Sequence, residues 1–286
     1  MPSLIPEWFL SAFALATVFT IMLDVGLGIV PGEFLWLWKR PGLMLRALFA
    51  VLVAVPAIAL AVARLLDLPR AAEVGLVVMA ISPGAPVALQ RSLSAGGHRA
   101  FAPGLQLTIA LLAVVSMPLS IAALDYVYGG TASVGPWQLM QQVSVAQLLP
   151  IGLGVSIGTC APAAAAWLKP RLHDTWRVLI ILFALMAVMA LSGAMVRAGP
   201  VVAAAVIATT LGAIAVGHGL GGPEANTRTA VAISTSARNP GLALLVVAVN
   251  GAPAGVKVTV MSYMLVSALT ILPYVLWRRR QLRELV

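Results

Sequence analysis

The chain has 286 residues, of which 61% are hydrophobic and only 9% are charged, and its formal net charge is +9. An average soluble domain has ~25% charged residues, so this composition excludes the soluble class and predicts a protein that crosses a lipid bilayer several times. The basic residues lie mostly in short loops between apolar runs, which indicates orientation in a membrane rather than nucleic-acid binding.

The first apolar run extends roughly over residues 8–30 and contains one charged residue, Asp24. Residues 33–42 follow with two tryptophans beside two basic residues, a composition typical of an anchor at the membrane interface. A second span is predicted at about residues 43–63, with Pro56 near its centre. The chain therefore begins with two predicted membrane crossings joined by an interfacial segment.

A break in the helical pattern follows the third predicted span, which begins near residue 71. The break reads SPGAP at residues 82–86, and two prolines and a glycine in five residues cannot continue an ordinary helix. The fourth element, residues 87–95, is too short to cross the bilayer alone. A fifth span is predicted at about residues 100–124, and a polar linker follows at residues 125–137.

The second half of the chain repeats this plan. Its spans are predicted at about residues 143–161, 175–196, 200–219, 228–250 and 256–277. The fourth of them contains Arg238 near its middle, and Asn239-Pro240-Gly241 follows directly. A guanidinium at bilayer depth costs at least ~2.5–3.5 kcal/mol on insertion scales, so this arginine needs a structural or functional reason.

Interrupted segments in corresponding positions of two halves indicate a transporter built from inverted repeats. We therefore predict an all-α polytopic membrane protein with ten transmembrane segments. They form two inverted five-helix repeats, at about residues 8–124 and 143–280, within a single membrane transport domain over residues 1–286. The broken fourth and ninth helices are expected to cross at the membrane centre.

The charges of the loops predict an orientation. With ten spans and a cytoplasmic N-terminus, and with Arg91 and Arg238 left out, five Lys and Arg residues lie in or next to the outer loops, and the other eleven belong to the inner loops and the C-terminus. The five are Lys39, Arg40, Arg46, Arg197 and Lys257. Because positive residues concentrate in cytoplasmic loops, we expect a multi-pass protein of the cell inner membrane or plasma membrane with both termini in the cytoplasm.

Three stretches of the chain resemble, in order and spacing, motifs of the bile acid:sodium symporter superfamily. They are MLDVGL followed by KRPG in the first part, SPGAPVALQRSLSAGG, and RTAVAISTSARNPGLA. The resemblance covers essentially the whole chain and implies ten spans in two inverted repeats. It also implies a core domain with the two broken helices that moves against a panel of the first, second, sixth and seventh spans.

The resemblance further implies two sodium sites, but most of their side chains are replaced in this chain. The positions of the family's ligands fall on Val51, Ala88, Leu89, Ala102, Gln106, Ser234, Arg238 and Asn239, and only Asn239 keeps the family's residue. Hard cations need several oxygen ligands, so we expect that the chain does not use these sodium sites. The alternative is a sodium-coupled transporter of the same type with non-standard ligands.

We expect Arg238 to take the place of a bound sodium ion and to bind an organic anion, because a guanidinium offers bidentate hydrogen bonds to a carboxylate, sulfonate or phosphate. The alternative is a structural ion pair, for which Asp24 is the only obvious acidic residue at membrane depth. Arg91 is either a second anion contact or a side chain that extends to the membrane interface. The other candidate substrate-binding residues are Asn239, Ser234, Thr235, Gln106 and Ser92.

Asp24 has two interpretations. It either balances the charge of an arginine or carries a proton, which would give proton coupling. The chain has three histidines and one cysteine, without the spacing of metal ligands, and we expect no metal and no cofactor.

Together these features predict a secondary transporter, not an enzyme, that moves a small or amphipathic organic anion across the lipid bilayer by alternating access. Two other classes stay open. They are a membrane sensor or scaffold that does not transport, and a membrane-embedded enzyme. Neither the substrate nor the oligomeric state follows from the sequence.

Overall fold

The structure, a computed structural model, describes residues 7–29, 37–128 and 135–283. This part of the chain is built from α-helices and connecting turns, without a β-strand among the described residues. Six stretches of it are long and apolar enough to cross a membrane: Pro41–Leu65, Phe101–Tyr126, Pro136–Cys160, Gly199–Leu220, Ala225–Ala248 and Ala254–Gln281. A shorter apolar helix covers Leu15–Leu27. The prediction of an all-α polytopic membrane protein is confirmed at this level.

The N-terminal part contains one pair of short helices between longer ones. Its helices are α1 (Glu7–Leu27), α2 (Pro41–Leu65), α3 (Arg70–Ala80), α4 (Pro86–Ser94) and α5 (Phe101–Tyr128). A π-helical segment, Ala50–Ala54, interrupts α2 two residues before Pro56. Of the predicted interfacial segment, residues 33–36 lie outside the described residues, and Leu37 is fully buried.

The C-terminal part also contains a pair of short helices. Its helices are α6 (Pro136–Cys160), α7 (162–198), α8 (Gly199–Leu220), α9 (Ala225–Ser236), α10 (Pro240–Val249) and α11 (Ala254–Arg283). Helices α7 and α8 form one helical run that is divided at Gly199, where φ is 83° and ψ is 170°. The predicted linker at residues 125–137 is partly helical, because α5 continues to Tyr128 and α6 begins at Pro136; residues 129–134 lie outside the described part.

The third and fourth predicted elements are two halves of one interrupted segment. Helix α3 has 11 residues and α4 has 9, so at 1.5 Å per residue each covers roughly half of the ~30 Å hydrocarbon core. The pair therefore matches α9 and α10, which have 12 and 10 residues. With each pair counted once, the described residues form four helical elements before residue 129 and five after residue 134. The division into five and five spans is not confirmed for these residues, because two half-helices were counted as two spans.

A contact between two loops also contradicts the predicted distribution of loops between the two sides of the membrane. Arg40 Nη1 donates to Glu224 Oε1 at 2.8 Å, which joins the loop before α2 to the loop before α9. The ten-span count placed Arg40 and Arg228 on opposite sides. The contact between Arg40 and Glu224 instead requires both loops to lie at the same end of the helices.

Helices α1 and α6 pack closely through glycines. A Cβ added to Gly26 would overlap the backbone of Ile151, and one added to Gly154 would overlap the backbone of Leu23. Helix α2 packs elsewhere, because Val51 belongs to a buried apolar cluster with residues of α5 and α9. Helices α2 and α5 therefore pack around the breaks, and α1, which packs closely against α6, also contacts the second break, because a Cβ added to Gly241 would overlap Val18.

Candidate functional site

The two breaks in the half-helix pairs are in direct contact. The backbone N–H of Asn239, between α9 and α10, donates to the carbonyl of Ser82, between α3 and α4, at 3.0 Å. Arg238 Nη1 donates to the carbonyl of Ala80, the last residue of α3, at 2.9 Å. Because α3 ends there, this carbonyl has no helical N–H partner four residues further on, and the arginine supplies the missing donor.

A second carbonyl reaches the same arginine because of a proline. Arg238 Nη1 also donates to the carbonyl of Val51 at 3.1 Å. In the π-helical segment of α2, the N–H of Val55 bonds the carbonyl of Ala50, five residues earlier. The next N–H in this pattern would be that of Pro56, and proline has none. The carbonyl of Val51 is therefore left without a partner inside its helix and accepts from Arg238.

The guanidinium of Arg238 is only partly satisfied by these two carbonyls. The residue is 4% exposed, and its Nε and Nη2 have no hydrogen-bond partner among the described residues. A buried charged group with unpaired donors costs free energy unless an acceptor reaches it. The guanidinium of Arg238 therefore has donors of two kinds. Nη1 ties the breaks to α2, while Nε and Nη2 are donors without an acceptor among the described residues.

The backbone around the breaks is held by specific residues. The side chain of Asn239 accepts from the N–H of Leu242 at 3.2 Å and so caps the N-terminus of α10. In the other break, Gly84 has φ of 77°, a left-handed conformation that L-residues with a side chain rarely adopt. Both breaks are therefore stable features of the fold rather than frayed helix ends.

A cavity of about 420 Å³ lies against the second break. Arg238 and Asn239 line it together with Arg91 of α4, so three of the predicted substrate-binding residues come together here. None of the described residues that line it is acidic. Its other walls come from α1, α7 and α11 and are mostly apolar, with the hydroxyls of Thr17 and Ser267 as additional polar groups.

Four predicted substrate-binding residues do not line this cavity. Thr235 donates its hydroxyl to the carbonyl of Ala213 at 2.8 Å. Ser92 lies against the backbone of Gly97, where an added Cβ would overlap its hydroxyl. Ser234 is buried, with 5% of its surface exposed.

Gln106 is the fourth of these residues and lies at the other break. Its side chain is buried, and an added Cβ on Gly84 would be 3.6 Å from its Nε2. Neither Nε2 nor Oε1 has a partner among the described residues. The amide therefore stands beside the crossing but outside the cavity that the two arginines share.

Asp24 pairs with residues of α7 and not with Arg238. Its Oδ2 accepts from Trp176 Nε1 at 3.0 Å and lies 3.6 Å from His173 Nδ1, while Oδ1 has no partner among the described residues. The ring of His173 also packs edge-on against Trp176, with 4.9 Å between centroids. Asp24 therefore joins α1 to α7, next to the cavity wall but not in its lining.

Several contributors to the site were not predicted from the sequence. The carbonyls of Val51 and Ala80 are backbone atoms, although Pro56 is a sequence signal for the first of them. Gln147 is fully buried in α6, and both polar atoms of its amide lack a partner among the described residues. A glutamine within an apolar run, three residues before Pro150, is the signal that could have drawn attention to it.

The positions that the resemblance assigns to sodium ligands are mostly packed apolar residues. Ala88, Ala102 and Val51 are at most 2% exposed and belong to buried apolar clusters. In residues 7–29, 37–128 and 135–283, no three His, Cys, Asp or Glu side chains are grouped as a metal ion would require.

Comparison with known proteins gives one match to a family. Residues 15–199 match the family described as "Sodium Bile acid symporter family", and this match covers more than half of the chain. The match ends before α9, so the break with Arg238 and Asn239 lies outside it. No curated protein matches the chain. Members of the matched family are transporters rather than enzymes. The chain belongs to the sodium bile acid symporter family.

Proposed function

We propose that the protein is a secondary transporter of an organic anion, with Arg238 as a fixed cation at the substrate site. The observation that carries this proposal is the bonding of the guanidinium. Nη1 is held by two carbonyls, while Nε and Nη2 are buried and without partners beside a cavity whose described lining has no acidic residue. Two donors fixed in one plane suit the two oxygens of a carboxylate, sulfonate or phosphate.

The surroundings of Arg238 also resemble those of a bound cation. Backbone carbonyls from α2 and from the end of α3 converge on it, as oxygen ligands converge on a metal ion. A sodium ion about 4 Å away would be repelled by about 4 kcal/mol at an effective dielectric of 20. The missing sodium ligands and this repulsion together support transport without the family's two sodium sites, by uniport, exchange or proton coupling.

Alternating access requires that part of the protein moves past the site. We assign α1, α6 and α7 to the moving wall, because α1 and α6 are closely packed and Asp24 links α1 to α7. Helix α2, which resemblance to the family placed with the panel, bonds to Arg238 through Val51 and is assigned to the core. The two broken segments still support an architecture of two repeats. Helix α6 has no counterpart in the described N-terminal part.

The corrected loop arrangement supports one orientation of the protein. Arg40 bonds Glu224, and Arg279 donates to the carbonyl of Ser94 at 3.1 Å, so the ends of α4, α8 and α11 share one side with the start of α2. Twelve Lys and Arg residues belong to this side: Lys39, Arg40, Arg46, Arg99, Lys169, Arg171, Arg177, Arg228, Arg278, Arg279, Arg280 and Arg283. Four belong to the other: Arg64, Arg70, Arg197 and Lys257.

This distribution supports a cytoplasmic C-terminal end of α11 and an N-terminal end of α1 on the opposite side of the membrane. Cys160, which is exposed at the end of α6, provides a test because the proposed orientation has it on the cytoplasmic side. A thiol reagent that does not cross membranes should label it in inverted vesicles and not in intact cells. Leu66→Cys in a Cys160→Ser background should show the reverse, and labelling of both from the same side contradicts the proposed orientation.

The test of function is a thermal-unfolding screen of organic anions on the purified protein, with and without sodium. We expect at least one anion to stabilise the wild type independently of sodium and Arg238→Gln to weaken its binding by roughly tenfold or more, as expected for loss of a charged hydrogen bond. Arg99→Gln is the matched control. Arg99 is exposed, so this substitution removes the same charge at a position outside the cavity. Counterflow of the labelled anion in liposomes then measures transport.

Three outcomes oppose the proposal. If no anion stabilises the wild type more than Arg238→Gln, the assigned role of Arg238 is wrong. Sodium-dependent uptake that alanine at Ser234 or Gln106 abolishes would restore the sodium-coupled alternative. Binding without counterflow would indicate a sensor or scaffold.

A further inference from the structure

The cavity contains a second guanidinium, and this bears on the kind of anion that fits. Arg91 lines the same space as Arg238, and neither has a carboxylate partner among the ion pairs of the described residues. Two positive charges that share a cavity of low polarity repel each other unless anionic groups enter. A ligand with one acidic group neutralises only one of them.

The two arginines are attached to the backbone at separate points around the cavity. Arg238 lies at the crossing of the breaks. Arg91 lies five residues beyond Pro86, about 7.5 Å further along the axis of α4 at 1.5 Å per residue. Two acidic groups that reach both arginines must therefore be separated by a spacer.

The rest of the cavity determines the nature of that spacer. The facing wall is formed by side chains such as Val18 and Ile21 of α1, Ile181 and Leu185 of α7, and Ile271 of α11. An apolar spacer buries its surface against this wall, whereas a polar one would lose its hydration without new partners. The volume of about 420 Å³ lies near the lower end of the ~300–1,000 Å³ typical of small-molecule pockets, which limits the ligand to a small molecule.

We infer that the substrate of this site is a small organic dianion with an apolar spacer, such as a medium-chain α,ω-dicarboxylate. One acidic group binds the free donors of Arg238, and the other binds Arg91. This inference rests on the proposed function, since it concerns the same cavity, and it gives Arg91 the role of selecting dianions over monoanions.

The test uses thermal unfolding of the full-length protein in detergent with two series of probes. One series is the straight-chain dicarboxylates from succinate to sebacate, and the other is the monocarboxylates of the same chain lengths. In the wild type, dicarboxylates of intermediate length should bind roughly tenfold or more tightly than their monocarboxylate partners, as expected for an additional charged hydrogen bond. Arg91→Gln should remove this preference, Arg91→Lys should keep part of it, and Arg99→Gln should keep it unchanged.

The outcomes distinguish this inference from the proposed function. If mono- and dicarboxylates bind the wild type equally and Arg238→Gln weakens both, the dianion inference fails and the anion site stands. If carboxylates of both series bind and Arg238→Gln weakens neither, both proposals fail. A preference for dicarboxylates that persists in Arg91→Gln overturns the role of Arg91. The wild-type comparison needs no variant, so a failure of Arg91→Gln to fold does not block the test.

Discussion

The two breaks have the same architecture and opposite chemistry. The break between α3 and α4 offers acceptors, because the carbonyls of Ala80 and Ser82 lose their helical partners where α3 ends. The break between α9 and α10 offers donors, namely the guanidinium of Arg238 and the N–H of Asn239. The two breaks thus bind each other through complementary groups, acceptors in the first and donors in the second. Of these groups, only the guanidinium of Arg238 carries a charge.

The dipeptide Pro-Gly occurs in both breaks and serves a different purpose in each. Gly84 is required by its own backbone, because its φ of 77° is a left-handed conformation. Gly241 begins a helix and has no such requirement, but a Cβ added there would overlap Cγ2 of Val18 in α1. The first glycine therefore shapes the break, and the second allows α1 to approach it.

The largest loss of stability is expected from a substitution of Arg238, which joins the second break to the first. Arg238→Gln removes hydrogen bonds to two buried carbonyls, each worth about 1.5–3 kcal/mol for a charged donor, partly offset because the cost of burying the charge also disappears. We expect a lower thermal stability without ligand. Asp24→Asn should add to this loss independently, within about 0.5 kcal/mol, because Asp24 pairs with Trp176 and His173.

Unfolding of the two single variants and the double variant in detergent measures this coupling. A double variant clearly more stable than the sum of the single losses predicts would mean that Asp24 and Arg238 form an ion pair after all. That result would restore the structural interpretation of the arginine.

A smaller effect should separate the two glycines. Gly84→Ala forces an L-residue into a left-handed conformation at a cost of about 1–2 kcal/mol, and its Cβ would be 3.2 Å from Ile109 Cγ2. Gly241→Ala overpacks the contact with α1 by about 1–3 kcal/mol. Val18→Ala should rescue much of the stability of Gly241→Ala, whereas Ile109→Ala should not rescue Gly84→Ala. Thermal unfolding of the four variants and two double variants tests this, and rescue of both or of neither contradicts the distinction.

The smallest effect concerns the helix cap that only the second break has. Asn239→Ala removes the acceptor for the N–H of Leu242 and should cost about 1 kcal/mol. Ala85, at the equivalent position before α4, makes no side-chain cap, so Ala85→Gly is the matched control and should cost less. A loss of stability in the control as large as that of Asn239→Ala would show that the cap is not the cause.

The sequence contained the information for the helices, both breaks and the central arginine. A Pro-Gly pair marks each break, and Arg238 is the charge that stands out in its apolar run. The acceptors of Arg238 were not predictable, because they are backbone carbonyls, which every residue has. The partner of Asp24 was missed for a related reason, since Trp176 lies 152 residues away in the chain. The count of crossings was not confirmed, because a half-helix and a short span have the same local sequence pattern.

The direction in which each side chain points from its helix was not predicted, and this limited the prediction of the site. Arg91 and Ser92 are adjacent in α4, yet Arg91 lines the cavity and Ser92 packs against Gly97. Adjacent residues on a helix point about 100° apart, so a polar cluster in sequence does not remain a cluster in space. Hydroxyl groups such as that of Thr235 also bond backbone carbonyls, which a sequence does not distinguish from ligand contact.

The permanence of the Arg238 charge has a consequence for energetics. A bound sodium ion leaves when its carrier empties, but a guanidinium in the chain cannot leave. The unloaded site is therefore electrically positive, and any displacement of it across the membrane field moves charge, at up to ~2.3 kcal/mol per 100 mV for a full crossing. A membrane that is negative inside would then draw the empty site toward the cytoplasm, and a dianion held by two arginines would cross with no net charge. Exchange rates measured at imposed voltages would reveal which half of the cycle the voltage drives.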